Sequence, residues 1–356
     1  MNFDLTEERQ MLQDTLRRYL RDKYTTSVRN SILTSDTGLS AGIWAELAEL
    51  GVLGALFTEE QGGFGGAGFD ISVVFEELGR AGVVEPVLDS ALMGGRLLAA
   101  AGRSDMVDEV IAGSVQLAVA HGEPGGRYDM DHVQTTVNAG TLTGRKAVVM
   151  NAEAADHLIV SARDGDAIGL YLVAGDAAGL EIQGYPLLAG GRAGEVTLDK
   201  TPAEPLGLTL ADYETVNNLA LVAISAEALG AMETATALTK DYLMTRKQFG
   251  RPIGTFQALA HRMSDLLIEL EQVRSAVINA AGNLDAHDRD LHLSATKNLI
   301  GRAGRLVAEE SIQMHGGIAM TQEYELAHIA KRIIMADHRF GDTDYHLERF
   351  IALSAA

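Results

Sequence analysis

Two stretches of the chain carry residues able to hold an anionic cofactor. In Arg246-Lys247-Gln248-Phe249-Gly250-Arg251-Pro252-Ile253, followed by Phe256-Gln257-Ala258 and His261, a guanidinium stands beside an amide and an aromatic ring. A guanidinium donates paired hydrogen bonds to a pyrophosphate, and an adjacent aromatic can pack a nucleoside. In Gln313-Met314-His315-Gly316-Gly317-Ile318-Ala319-Met320-Thr321-Gln322-Glu323, the Gly-Gly pair lets backbone approach a ligand closely and turns free N–H groups toward a phosphate. Each stretch also has a plainer reading. Basic residues offset the carbonyl charge at a helix end, and a Gly-Gly pair breaks one helix from the next.

Other chemistries find little support in the residue pattern. The 356 residues include no cysteine, which removes disulfides, thiol nucleophiles and thiolate metal sites together. The histidines show no ligand spacing such as H-E-x-x-H, so no metal site is expected. No G-x-S-x-G stretch seats a serine nucleophile. His261 and His315 read as packing or hydrogen-bonding residues rather than general bases. Gly63-Phe64-Gly65-Gly66-Ala67-Gly68 spells G-x-G-x-x-G, but a dinucleotide fingerprint must follow a strand, and helical sequence precedes it here. A net charge of -20 argues against nucleic acid and against an anionic membrane, both of which attract basic surfaces. The acidic start, Met1-Asn2-Phe3-Asp4, has no signal-like apolar segment. The longest apolar run, 219–232, is interrupted by Glu227 and reads as a buried helix. A soluble, cytoplasmic chain is expected.

The elements that must position the two stretches follow from periodicity. With 47% hydrophobic residues the chain can bury a large core. Asp4 with Glu7 makes a capping pair ahead of Met11, Leu12, Leu16, Tyr19 and Leu20, and residues 1–112 read as an N-terminal helical domain. Residues 113–205 read as a small β-domain. Its β-branched or alternating segments (116–120, 133–137, 147–150, 157–162, 168–173 and 195–198) are separated by turns such as Asn138-Ala139-Gly140 and end before Pro202 and Pro205. Residues 206–356 return to helical periodicity, clearest in Phe256, Leu259, Met263, Leu266, Leu270, Val273 and Val277, and read as a C-terminal four-helix bundle. The fold class is α+β.

In this order of elements, the two stretches together resemble the acyl-CoA dehydrogenase family, whose R-x-Q-F-G-x-x-I…F-Q and Q-x-H-G-G-x-G/A-x-T-x-E segments both contact FAD. Glu59-Glu60-Gln61-Gly62-Gly63 resembles the family's P-E-E-x-G-G loop, a turn near the substrate mouth. The resemblance implies an acyl-CoA dehydrogenase-like fold. It implies FAD-dependent α,β-dehydrogenation of an acyl-CoA thioester, in fatty acid or steroid catabolism. It assigns Arg246, Gln248, Phe249, Gln313, Gly316 and Gly317 to FAD. In the family the first three reach FAD held mainly by a neighbouring subunit, so a homo- or hetero-oligomer, dimer or tetramer, is implied. An electron-transfer flavoprotein is a further implied partner.

The chain departs from the family where the chemistry is done. The family's usual base, a glutamate after the Gly-Gly pair and before a glycine, falls at Phe340, ahead of Gly341. The alternative glutamate, on the helix leading to the first stretch, falls at Ala220, and the arginine after it at Leu221. Nearby acids are Asp342, Asp344 and Glu227; Asp342 and Glu227 are the candidate bases. Asp342-Thr343-Asp344 also reads as a helix cap, and Glu227 as a buried, paired carboxylate. In the β-domain, His121-Gly122-Glu123-Pro124-Gly125-Gly126 stands for the family's T-E-P-x-x-G-S-D loop. Val148-Val149-Met150-Asn151 stands for its tryptophan segment, with Met150 at the place of the hydroxyl beside flavin N5. Two readings remain: an acyl-CoA dehydrogenase with an unusual base, or a non-catalytic partner subunit of a heteromeric one. Ala220, Ala223, Ser225 and Ala226 leave room for a branched or polycyclic acyl group, or serve close helix packing.

Overall fold

The apolar stripes of the sequence become helices, and its β-branched segments become one sheet. The computed structural model describes residues 5–355. Asp4 lies outside them; among the described residues, Thr6 caps the first helix, its hydroxyl accepting from Arg9 N at 3.3 Å. The helices are α1 (Glu7–Lys23), α2 (Thr26–Leu33), α3 (Ala41–Glu49), α4 (Gly68–Ala81), α5 (Gly95–Ala100) and α6 (Ser104–Ile111). The strands follow: β1 (Leu117–Ala120), β2 (Thr136–Asn138), β3 (Thr141–Met150), β4 (His157–Asp164), β5 (Ala167–Ala174), β6 (Leu180–Pro186), β7 (Arg192–Pro202) and β8 (Glu204–Thr209). The chain continues as α7 (Leu210–Thr245), a hairpin of β9 (Lys247–Gln248) and β10 (Arg251–Pro252), then α8 (Gln257–Gly282), α9 (Arg289–His315), α10 (Glu325–Asp337) and α11 (Thr343–Ala355).

These elements form two compact units that do not follow chain order. One comprises residues 31–67 and 84–220, the other the described residues up to Asn30, 68–83 and 221 onward. In the first unit the sheet has the order β6-β7-β3-β2-β4-β5-β8, with β1 pairing β4 in parallel. Leu142, Val149, Leu158, Val160, Val173, Val196 and Leu198 pack one core against it. The sequence reading ends the strands before Pro202 and Pro205, whereas the structure adds β8 across Pro205. Pro205 is tolerated because β8 is an edge strand, and an edge has ladder positions that need no N–H. The other edge, β6, alternates as Leu180-Glu181-Ile182-Gln183, with Leu180 and Ile182 packed on the core, a strand signal that the sequence reading passed over.

In the second unit, α9 packs against α8, α10 and α11, while α4 packs against α1 and α8. The α8 stripe is buried as its spacing requires: Leu266 and Val273 are fully covered. An apolar window within α7 reaches a mean hydropathy of 1.3, but 89% of it is buried inside the fold, so α7 is a core helix. Glycine sets how closely α4 and α7 meet. A Cβ on Gly79 would lie 1.9 Å from the Glu227 carbonyl oxygen, and one on Gly230 1.9 Å from that of Glu76. Ala223, Ser225 and Ala226 are buried to 2% exposure or less, which is the close-packing role of small residues.

Charge pins the same helices together. The carboxylate of Glu77, 1% exposed, takes two bonds from Arg17 at 2.9 and 2.5 Å and lies 3.4 Å from Arg80. Arg80 also pairs with Glu76 at 2.8 Å and with Glu233, which Arg274 of α8 engages as well. We expect Gly79→Ala to separate α4 from α7 and to destabilise the fold by about 1–3 kcal/mol, the usual range for overpacking. Denaturant unfolding checks this, and an unchanged midpoint would refute the close-contact account.

Candidate active site

The hairpin that follows α7 is built by two residues with positive φ. Phe249 (φ 52°) and Gly250 (φ 81°) form its turn, and mirror-image turns of this kind match the twist of paired strands. The register places Arg251 opposite Gln248 and Pro252 opposite Lys247, and Ile253 N donates to Arg246 O at 2.9 Å. Left-handed backbone costs a non-glycine residue roughly 1–2 kcal/mol. Phe249 accepts that cost with its ring 89% exposed, in an edge-on contact with Phe256 at 6.1 Å. Arg246 and Gln248 are exposed as well.

The Gly-Gly stretch ends α9. Gly316 (φ 69°) and Gly317 are exposed, and a Cβ on either would meet nothing within 4 Å. Gln313 is exposed on the last turn of the helix. A ring stack joins the two stretches. His315 lies on Tyr242 with centroids 4.5 Å apart, and Tyr242 O accepts the N–H of Arg246 at 2.8 Å. The imidazole is 4% exposed and sits 2.8 Å from Ser311 O, which as a carbonyl requires Nδ1–H. Nε2 then accepts from the Tyr324 hydroxyl at 3.1 Å. Burial pushes this histidine below its ordinary pKa. His315 is a neutral spacer between the two stretches, and His261 is exposed on α8.

The turn between α10 and α11 holds Phe340 rigidly. Lys297, fully buried on α9, donates to Asp337 O and Gly341 O at 2.8 Å each. Burial lowers its ammonium to about 8, against the pull of Asp337 and Asp342. His346, also fully buried, lies 2.9 Å from Phe340 O, an arrangement that requires Nε2–H. Phe340 adopts φ 58°, with the Arg339 guanidinium 4.8 Å from its ring centroid. At Gly341 (φ 106°) a Cβ would lie 2.4 Å from the Tyr345 ring.

The two candidate carboxylates are both engaged. Asp342 Oδ1 accepts from Tyr345 N at 2.9 Å, capping α11. Glu227 on α7 pairs with Arg332 of α10, and both side chains are largely buried. The structure therefore puts Asp342 in the capping role and Glu227 in the paired-carboxylate role that the sequence leaves open for them.

In the sheet unit, the segments that stand for the family's flavin loops form another network. Lys146, fully buried, donates to His121 O at 3.1 Å, Glu123 Oε1 at 2.7 Å and Ser161 Oγ at 2.9 Å. Burial lowers Lys146 to about 8 and His121 to about 4, and His121 stacks on Tyr213. Beyond Lys146 the β3–β7 pairing slips, leaving Val148 at φ 53° with its side chain 56% exposed. Its N–H donates to Glu195 Oε1 at 3.2 Å, the oxygen that also accepts the Tyr185 hydroxyl at 2.8 Å. This amide is spent within the sheet, and Met150 offers no hydroxyl.

Sequence reasoning missed Lys297, Lys146 and Glu195. Lys297 carried a readable signal, because it falls in the apolar stripe Leu293, Ile300, Gly304 and Val307 of α9. Lys146 meets Glu123 of the loop after β1, and Val148 meets Glu195 across β3 and β7, contacts that local sequence does not encode.

In chain order the fold is α+β, with helices before and after a central run of strands. The acyl-CoA dehydrogenase N-terminal domain model matches residues 6–115 and the C-terminal domain model residues 215–352. Acyl-CoA dehydrogenase IpdE2 of Mycobacterium tuberculosis is 30% identical over 92% of this chain and 91% of its own length. A structure described as Tcur3481-Tcur3483 steroid ACAD G363A variant superposes with a TM-score of 0.91 at 31% identity, covering 98% of both chains. The ChsE4-ChsE5 complex from Mycobacterium tuberculosis shares the fold, with a TM-score of 0.91 at 23% identity over 100% of this chain and 99% of its own. The chain belongs to the acyl-CoA dehydrogenase family of flavoprotein oxidoreductases.

The donor set of the helical unit fits FAD: exposed Arg246 and Gln248 for phosphate oxygens, Phe249 for an apolar ring face, and open backbone at Gly316 and Gly317. The sheet segment is a poorer host, since Glu195 holds the Val148 amide.

His346 sets a pH dependence. Burial pushes its imidazole down to about 4, against an ordinary value of 6.5. Between those values the unfolded chain binds more protons than the folded one, so stability falls as pH drops from 6.5 toward 4. His121, also pushed to about 4, adds the same sign. We expect the thermal midpoint to fall across this window and His346→Gln to flatten the fall. Equal slopes in both proteins would remove His346 as its source.

Proposed function

We propose that this chain serves FAD-dependent α,β-dehydrogenation of an acyl-CoA thioester as the base-less subunit of a two-chain assembly. The observation that carries this reading is the state of its carboxylates. Proton abstraction from Cα needs a carboxylate that is desolvated yet free of a cationic partner, so that its pKa rises toward that of the activated C–H. Phe340 stands at the place of the usual base, Asp342 caps a helix and Glu227 is held by Arg332. For either to reach a Cα–H, Asp342 would have to release the Tyr345 amide or Glu227 the Arg332 guanidinium.

The chain's own residues supply binding instead. Arg246 and Gln248 donate to the cofactor phosphates, Phe249 covers the nucleoside, and Gln313 with Gly316 and Gly317 closes the same end. FAD, when bound, supplies the hydride acceptor for the Cβ–H bond. The second reading, with Asp342 or Glu227 as base in a self-sufficient enzyme, requires one of these carboxylates to leave its present partner. An electron-transfer flavoprotein is the proposed electron acceptor. A polycyclic acyl group is the proposed substrate class, supported by the 31% identity to the steroid-named neighbour.

Absorbance near the flavin band tests the reading. The chain purified alone should be colourless and fail to retain added FAD, while the assembly captured through a tag on it should be yellow and bleach with a steroid-CoA but not with butyryl-CoA. A lone chain that keeps FAD and reduces it with a thioester would establish the self-sufficient enzyme instead. In the assembly, Arg246→Ala should weaken flavin retention roughly tenfold or more, the scale of one lost charge-assisted bond. Full flavin occupancy after gel filtration of that variant would count against its role.

A further inference from the structure

We propose that Arg251 is a second cationic arm for the cofactor's diphosphate, working across the hairpin from Gln248; this rests on the proposed function. The register of the hairpin carries the argument. Arg251 pairs directly with Gln248, and Pro252 with Lys247. Residues directly opposite in an antiparallel pair share a face, and neighbours along a strand alternate between faces. Arg246, Gln248 and Arg251 therefore lie on one face, and Lys247 lies on the other.

The condition of the guanidinium points the same way. The Arg251 guanidinium carbon lies 4.2 Å from the centroid of the Phe256 ring. A cation over an aromatic face is oriented by the ring quadrupole while the N–H edge of its plane stays available. Among the described residues, neither Arg246 nor Arg251 has a salt bridge or a side-chain hydrogen bond, in a chain of net charge -20. With acids in such excess elsewhere, cations left unpaired on one small face leave their charge for a ligand. A diphosphate carries more than one negative charge, and Arg246 alone offers one positive charge. Arg251 supplies the other, in the planar form suited to two phosphate oxygens.

The test uses the flavin-containing assembly recovered through a tag on the full chain. Bound FAD is followed by fluorescence of the released flavin during dialysis, over a range of sodium chloride concentrations. Arg251→Leu should weaken FAD binding roughly tenfold and lessen its dependence on salt, because one screened charge is gone. Lys247→Leu, on the opposite face, should change both by less than about twofold, and Arg251→Lys should fall between because it keeps charge without the planar fork. The salt dependence separates a direct charge from a prop for Phe256, since a prop would weaken binding equally at every salt concentration. Salt-independent weakening in Arg251→Leu, or equal effects of Arg251→Leu and Lys247→Leu, would overturn the proposal. If the wild-type assembly holds no FAD, the functional reading fails and this inference fails with it. If it holds FAD and Arg251→Leu holds it equally well, only the inference fails.

Discussion

The near-contact of α4 and α7 through Gly79 and Gly230 is the constraint on which the helical unit depends. Backbone meets backbone there with no room for a single Cβ, so the register of the two helices has one solution. In that register Glu76, Glu77 and Arg80 of α4 come within reach of Glu233 on α7, and Arg17 and Arg274 close the network from α1 and α8. The carboxylates of Glu77 and Glu233 are buried even where their arginine partners reach solvent. Removing one partner would strand a charge with little solvent, so these ion pairs act as registry marks that penalise any slip. The same register aims Glu227 at Arg332 and carries the end of α7 to the point where Tyr242 meets His315. The 247–252 hairpin and the Gly-Gly turn, remote in sequence, are brought together at that point.

The same logic bears on the proposal that this chain is the base-less member of a pair. A catalytic carboxylate must be buried without being satisfied, and such a group is a standing cost to the fold. In this chain each candidate has been relieved of that cost. Asp342 receives a backbone N–H, Glu227 receives a guanidinium, and Phe340 carries no charge at all. The turn that presents Phe340 is nevertheless held by Lys297 and His346 through three carbonyl oxygens. Two buried polar side chains committed to one turn show that its backbone is over-determined, which is what a residue at positive φ requires to persist.

Legibility in the sequence followed the range of the interaction. The Gly-Gly turn was readable because Gly316-Gly317 alone leaves the backbone open, whereas the 247–252 hairpin was read as a helix end, although Phe249-Gly250 adopts the positive φ of a tight turn. The helical stripe of α8 was readable because its spacing is itself the cause of burial. The capping alternative for Asp342 was open because caps are local, and so was the pairing of Glu227, although its partner Arg332 was not nameable. Strand β8 was hidden by Pro205, since sequence alone cannot tell an edge strand from an interrupted one. The grip of Lys297 on the Phe340 turn was hidden for a different reason. A lysine in an apolar stripe announces that it has partners, but backbone carbonyls have no sequence identity by which to find them.

Electrostatics then links the fold to an assembly. A chain of net charge -20 repels an anionic cofactor at long range, so any affinity must come from cations placed at contact distance and not neutralised by neighbouring acids. Several arginines of the helical unit are spent in ion pairs that hold helices, among them Arg17, Arg80, Arg274 and Arg332. Arg246 and Arg251 on the hairpin face are not. Its exposed ring and unpaired guanidinia contribute nothing evident to the stability of an isolated chain, and the left-handed Phe249 costs it something. A feature that is unfavourable alone and complementary to a nucleotide diphosphate makes physical sense when the ligand is presented from outside the chain. In the sheet unit the Val148 amide already donates to Glu195, so in this arrangement it has no N–H to offer a ligand. Under the function proposed above, a second subunit would hold the flavin and receive from this chain the charge that its phosphates need.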